Sequence, residues 1–160
     1  MYTGNKRSLE GIGGWLLLPL AALIVVPFSM AHGLYRNLWP IFSEGYWAAI
    51  TTPGTAAYHR LWAGLIVLET AGSLFGFGLG LIALRYVVQK SRLAPRLVMA
   101  WLVCSLCLLA GDFYLGKLIP ALAQQTDPAS AAVVLLAAIG VGVGVPYFLR
   151  SKRVRRTFVR

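Results

Sequence analysis

Four long stretches of this chain carry almost no charge, and they constrain its fold more than any other feature. Two of them contain no charged residue, and the other two contain one acid each, Glu69 in the second stretch and Asp112 in the third. Each stretch is long enough for a tilted membrane helix, which needs about 20 mostly apolar residues. We therefore predict four membrane spans, at residues 12–31, 61–84, 97–116 and 129–149.

The overall composition supports this interpretation. Of the 160 residues, 58% are hydrophobic and only 12% are charged, whereas soluble domains carry about 25% charged residues. A soluble globular domain of this length needs more polar surface than the chain supplies. The predicted fold is an all-α integral membrane four-helix bundle, a single domain over residues 1–160.

Lysine and arginine residues predict how the spans are oriented. Two precede the first span, four lie between the second and third, and six follow the fourth, but the two other connections hold only Arg36, Arg60 and Lys117. By the positive-inside rule, both termini are cytoplasmic and residues 32–60 form an outer loop. The alternative for the first span is a signal peptide cleaved near Ala31, which would leave an odd number of spans.

The strongly basic balance, a net charge of +10, has two interpretations. Nucleic-acid binding requires a basic face on a soluble domain, whereas these cations flank apolar spans. We therefore expect the bilayer and its anionic headgroups as the partner, and no nucleic acid. The spacing of Val154 and Phe158 predicts a short helix on the membrane surface, next to a basic tail within residues 150–160 formed by Arg150, Lys152, Arg153, Arg155 and Arg156.

Glycines spaced four residues apart predict close helix packing. They occur in the second span as Gly72, Gly76 and Gly80, and in the fourth as Gly140 and Gly144. Such glycines form a groove that another helix can approach closely. The groove packs either within the bundle or against a second membrane protein, including another copy of this chain.

The two acids inside the spans are the best candidates for a site. Gly76 and Gly80 follow Glu69 by seven and eleven residues, so all three share one helical face. At 1.5 Å per residue, Glu69 lies about 12 Å below the outer boundary and Asp112 about 22 Å above the inner one. Both acids are therefore expected to be buried in the outer half of the bundle.

Ionisable residues inside a membrane are costly and point to function by default. Two neighbouring carboxylates at low dielectric do not both ionise readily, so the pair suits proton relay, cation binding or a hydrogen bond to a quinone-like headgroup. The alternative is a structural network that fixes helix register. Possible companions at the same level are Arg60, His59 and Tyr114.

The usual signals of enzyme chemistry are weak. Cys104 and Cys107 form a C-x-x-C in the middle of a span, away from the helix N-terminus that lowers a thiol pKa, so we interpret them as small apolar fillers. His32 and His59 lack a recognisable ligand motif. We predict no catalytic residue, no metal and no cofactor.

Several motifs resemble one known family, the domain of unknown function 2569 family of small four-span bacterial inner-membrane proteins. They are the opening Gly-Gly-Trp-Leu at residues 13–16, Glu69, Asp112 and the Pro-Tyr-Phe-Leu-Arg-Ser-Lys-Arg-Val run at 146–154. The resemblance covers nearly the whole chain. It implies a bacterial inner-membrane location and this architecture, and it implies no activity.

Two functions are therefore expected, and a quinone-linked redox protein is a third hypothesis. The first is a non-enzymatic accessory or scaffold subunit that uses the glycine faces and the basic tail. The alternative is a small proton-linked carrier or quinone-type binder centred on Glu69 and Asp112.

Overall fold

The computed structural model describes residues 17–124 and 128–158, and within these ranges the chain forms helices and no strand. The helices are α1 (Leu17–Ser43), α2 (Tyr46–Thr51), α3 (Trp62–Val88), α4 (Ala94–Lys117), α5 (Pro120–Ala123), α6 (Pro128–Arg150) and α7 (Lys152–Thr157). Four of them, α1, α3, α4 and α6, are long and apolar enough to cross a membrane. The all-α, four-span architecture is confirmed.

The four long helices form a curved row. Helix α1 packs on α3, α3 on α4, and α4 on α6. In the described part of the chain, α1 and α6 do not form a packed pair, although residues of both line one cavity. The bundle therefore has a concave side bounded by α1 and α6, with α3 and α4 as its floor.

Helix α1 is longer than the first predicted span. The segment 32–60, expected to be an outer loop, continues the helix through Ser43 and contains α2. The segment is helical as far as Ser43 because no chain-reversing glycine occurs until Gly45, whose φ of +72° is left-handed. Tyr35 and Trp39 pack ring against ring, with centroids 5.7 Å apart, along this extension. The predicted start at residue 12 and the motif at 13–16 lie outside the described residues.

Three glycines of α3 face the neighbouring helices. Gly72, Gly76 and Gly80 are all buried. A Cβ added at Gly72 would collide with Leu108 of α4, and one at Gly76 would lie 3.3 Å from Met30 of α1. The row of small residues thus lets α1 and α4 pack closely on the same helix.

Gly80 lies against two rigid rings, those of Pro27 and Trp101. A Cβ there would lie 2.9 Å from Pro27 Cγ and 2.9 Å from the indole nitrogen of Trp101. That nitrogen donates a hydrogen bond of 3.1 Å to the carbonyl oxygen of Gly76. Trp101 is therefore held at the junction of three helices by both shape and polarity.

In α6 the two predicted packing glycines behave differently. A Cβ added at Gly144 would lie 3.2 Å from Leu102 of α4, whereas one added at Gly140 would have no atom within 4 Å. Gly140 is exposed on the concave side of the row. Gly140 therefore borders open space, whereas Gly144 contacts a neighbouring helix.

One end of the bundle is closed by the tail. Ser151 adopts extended angles, ends α6 and caps α7 by accepting a hydrogen bond from the Val154 amide. The chain turns back, and Val154 and Phe158, only 2% and 5% exposed, join a core cluster that includes Trp101 and Phe148. The predicted helix exists, but its apolar residues contact the protein instead of the membrane surface. We call this the α7 end and the opposite one the α2 end.

Candidate functional site: a cleft between α1 and α6

The concave side of the bundle contains a cavity of about 810 Å³, here named the lateral cleft. Its walls are α1 and α6 and its floor is α3 and α4. Because its two wall helices do not pack together, the cleft opens sideways between membrane-spanning helices. Apolar side chains dominate its lining, among them Val26, Met30, Leu34, Leu106, Leu109 and Val141.

Polar side chains concentrate toward the α2 end of the lateral cleft. Asn37 of α1, Glu69 of α3 and Asp112 of α4 all line it. Asn37 lies six residues before α1 ends, Glu69 seven after α3 begins, and Asp112 five before α4 ends. At 1.5 Å per residue these positions are about 8 to 11 Å from the helix ends, so they lie at one level.

A hydrogen bond ties two of these side chains together. Asn37 Nδ2 donates to Glu69 Oε1 over 2.9 Å and links α1 to α3. Asp112, on the neighbouring α4, lies within electrostatic range of Glu69. The structure therefore brings together the two acids that the sequence placed at similar depth.

The two acids are less enclosed than expected. Glu69 is half-buried, and Asp112 is exposed, not buried. The reason is that α1 and α6 do not close over the concave side, where Asp112 lies. Both carboxylates are therefore accessible to a molecule inside the lateral cleft.

The three predicted companions are not part of this site. Arg60 is exposed before α3 begins, and His59 accepts a 3.4 Å hydrogen bond from the Leu61 amide through Nδ1. Tyr114 is 65% exposed and packs edge-on against Phe113. None of the three lines the lateral cleft, and the described residues that do line it include no lysine, arginine or histidine.

Comparison with known proteins identifies the family. Residues 9–159 match the family described as "Protein of unknown function (DUF2569)". The chain belongs to this family. It is also 30% identical to the inner membrane protein YdgK of Escherichia coli (strain K12), over 94% of each chain. No solved structure matches.

Membership of the DUF2569 family confirms the expected resemblance. Together with the four long apolar helices, it identifies a multi-pass membrane protein of a family with an inner-membrane member. Neither the family description nor the relative's name assigns an enzymatic activity.

Asn37 and Ser105 are among the polar residues of the lateral cleft that sequence reasoning missed. Asn37 was assigned to a loop, although in a continuous helix it follows Met30 by seven residues and so shares the face that packs on α3. Ser105 also lines the cleft, and its buried hydroxyl has no hydrogen-bond partner in the described structure. An amide seven residues beyond a packed methionine was the available signal for Asn37; nothing distinguished Ser105.

The predicted basic tail lies around α7. Most of its cations are exposed, and Arg155 Nη2 donates a hydrogen bond of 3.3 Å to the Leu149 carbonyl oxygen. Arg153 is half-buried, with a buried Nε that has no hydrogen-bond partner in the described structure. The exposed members are Arg150, Lys152, Arg155 and Arg156.

The two cysteines are free thiols. Cys104 is half-buried and Cys107 is exposed, so only the first resembles the enclosed filler that was expected. Within the described residues, no group of three or more histidine, cysteine, aspartate or glutamate side chains is arranged to hold a metal ion.

Proposed function

We propose that this protein is a non-enzymatic inner-membrane protein that binds a lipid-soluble amphiphile in the lateral cleft. The observation that carries the proposal is the cleft itself: about 810 Å³, apolar along most of its lining, with one amide and two carboxyl groups at one level. Small-molecule sites typically combine a volume of about 300–1,000 Å³ with a few convergent polar groups. The lateral cleft fits this description.

The position of the polar groups supports an amphiphilic ligand. Asn37, Glu69 and Asp112 lie toward the α2 end, and the lining toward the α7 end is mainly apolar. A ligand with a polar head and an apolar body satisfies both parts, with its head beside the carboxylates. Its body then lies along the opening between α1 and α6, where it replaces lipid chains.

The orientation in the membrane is part of the proposal. Two exposed cations, Lys90 in the α3–α4 connection and Arg96 in the first turn of α4, are at the same end of the helices as those of α7. The positive-inside rule then places both termini and the α7 end in the cytoplasm. Exposed basic side chains at that end are available to anionic headgroups, each worth about 1 kcal/mol near such a surface.

Two glycines of α6 provide a matched test of the cleft. A Cβ at Gly140 or Gly142 would meet no atom within 4 Å, but only Gly140 lines the cleft. Gly140→Leu therefore adds, on the cleft lining, a side chain whose Cβ meets no neighbour, whereas Gly142→Leu adds the same group outside the cleft. We expect native mass spectrometry of protein purified from its own membranes to show a bound small molecule in wild type and Gly142→Leu, and not in Gly140→Leu.

The same measurement addresses the other expected role, an accessory or scaffold subunit. A stoichiometric protein partner that is retained equally by wild type and Gly140→Leu, with no small molecule in any sample, would support that role. It would also contradict the binding proposal. An amphiphile that is equally abundant in both glycine variants would contradict the location of the site.

A further inference from the structure

Among the described residues that line the lateral cleft, the charged side chains are all acidic. Among the described residues that line it, the only members charged at neutral pH as free side chains are Glu69 and Asp112, and no cation faces them there. Helices α1, α3, α4 and α6 all contribute to the lining, and none of them supplies a cation to it. The described cleft therefore presents two carboxylates without a charged counterpart.

Asn37 does not remove this imbalance. Its amide donates to one oxygen of Glu69, which orients that carboxylate but supplies no positive charge. An ionised carboxylate accepts about four hydrogen bonds through its two oxygens. Capacity for further donors therefore remains at Glu69, and Asp112 is exposed beside it.

From this charge complementarity we infer that the ligand of the lateral cleft is a lipophilic cation, an amine or onium ion with a bulky apolar body. The inference rests on the proposed function and specifies its ligand. Positive charge beside the two carboxylates is strongly favoured where the surroundings exclude water. An anionic headgroup would meet repulsion from an ionised carboxylate at the same place, and a neutral head would supply no counter-charge to it.

Binding of tetraphenylphosphonium to the full chain in neutral detergent tests the inference. Its uncharged counterpart is triphenylphosphine oxide, and its anionic counterpart is tetraphenylborate. These compounds also dissolve in the detergent micelle. The binding measured with Gly140→Leu is therefore subtracted, and only the remainder is counted as binding in the cleft. In wild type we expect the cleft to bind tetraphenylphosphonium at least ten times more tightly than triphenylphosphine oxide. We expect it not to bind tetraphenylborate.

Neutralising Glu69 and Asp112 provides a second test of the inference. Glu69→Gln and Asp112→Asn keep the size of each side chain, and each should weaken phosphonium binding at least tenfold while leaving the phosphine oxide unchanged. Glu44→Gln is the matched control, because Glu44 is exposed between α1 and α2 and does not line the cleft. It should leave all three affinities unchanged.

The outcomes separate the inference from the proposal beneath it. If cleft-dependent binding is as strong for the neutral compound or the anion as for the cation, the lipophilic-cation inference fails and the amphiphile site stands. The same conclusion follows if both acid variants bind the phosphonium normally. If no compound binds in a way that Gly140→Leu abolishes, and native spectra show no bound small molecule, both fail. The wild-type series needs no variant of the acids, so a misfolded Glu69→Gln would not leave the question open.

Discussion

Gly80→Ala tests the packing that holds the three helices together. The new methyl group would lie 2.9 Å from Pro27 Cγ and 2.9 Å from the Trp101 indole nitrogen, both closer than real Cβ contacts allow. Pro27 and Trp101 are fully buried, and a proline ring and an indole have few ways to yield. Overpacking of this kind costs about 1–3 kcal/mol.

Two further contributions adjust this figure. Displacing Trp101 weakens its hydrogen bond to the Gly76 carbonyl, and such bonds between membrane helices average about 0.6 kcal/mol. Replacing glycine by alanine inside a helix recovers about 0.5–1 kcal/mol. The net expectation for Gly80→Ala is a loss of about 1–3 kcal/mol in the free energy of unfolding, since the hydrogen bond and the helix gain nearly cancel.

Gly78→Ala is the matched control. It lies two residues away in the same helix, and an added Cβ there would meet no atom within 4 Å. It should therefore be neutral or slightly stabilising. Unfolding by sodium dodecyl sulfate in mixed micelles, followed by circular dichroism, measures both variants. If Gly80→Ala unfolds at the same denaturant fraction as Gly78→Ala, the close approach of Pro27 and Trp101 to Gly80 is refuted.

Three other predictions follow from the fold. Trp101→Phe removes the indole donor to Gly76 and leaves a smaller ring in the core, so it should lower the unfolding midpoint in the same micelle assay; an unchanged midpoint would refute the contact. Phe158→Ala removes a buried anchor of the tail, so limited trypsin digestion should cut around α7 faster than in wild type, and equal rates would show that Phe158 does not hold the tail. In a cysteine-free background, a membrane-impermeant maleimide applied to intact cells should label Thr52→Cys and not Gln89→Cys; the reverse pattern would invert the proposed orientation.

Much of the architecture follows from the sequence because membrane solvation leaves few choices. The uncharged stretches identify the four long helices, since an apolar segment of that length can satisfy its backbone only as a helix or a closed barrel. The common level of Glu69 and Asp112 follows from helix rise alone. The extension of α1 was missed because residues 32–43 contain charge and aromatics typical of an interface, and these residue types do not distinguish a loop from a helix that leaves the membrane.

Packing partners were harder to predict than helices. The spacing of Val154 and Phe158 indicates one apolar face, but lipid and protein satisfy such a face equally well. Likewise, Gly140 and Gly144 are both small residues of one helix, four positions apart, and the sequence does not show that Gly144 contacts α4 while Gly140 borders a cavity. The cleft itself depends on α1 and α6 not forming a packed pair, which no local pattern encodes.

The sideways opening between α1 and α6 determines how ligand affinity must be expressed. A molecule that reaches this opening from the hydrocarbon has already been concentrated there, and a partition coefficient of about 10⁴ corresponds to about 5.5 kcal/mol. The binding free energy that the protein must then supply is only the difference between the ligand's contacts with the cleft and its contacts with lipid chains. Adding empty vesicles would dilute the ligand and weaken its apparent aqueous affinity without altering a single contact. For a site of this shape, occupancy is governed by the mole fraction of ligand in the lipid.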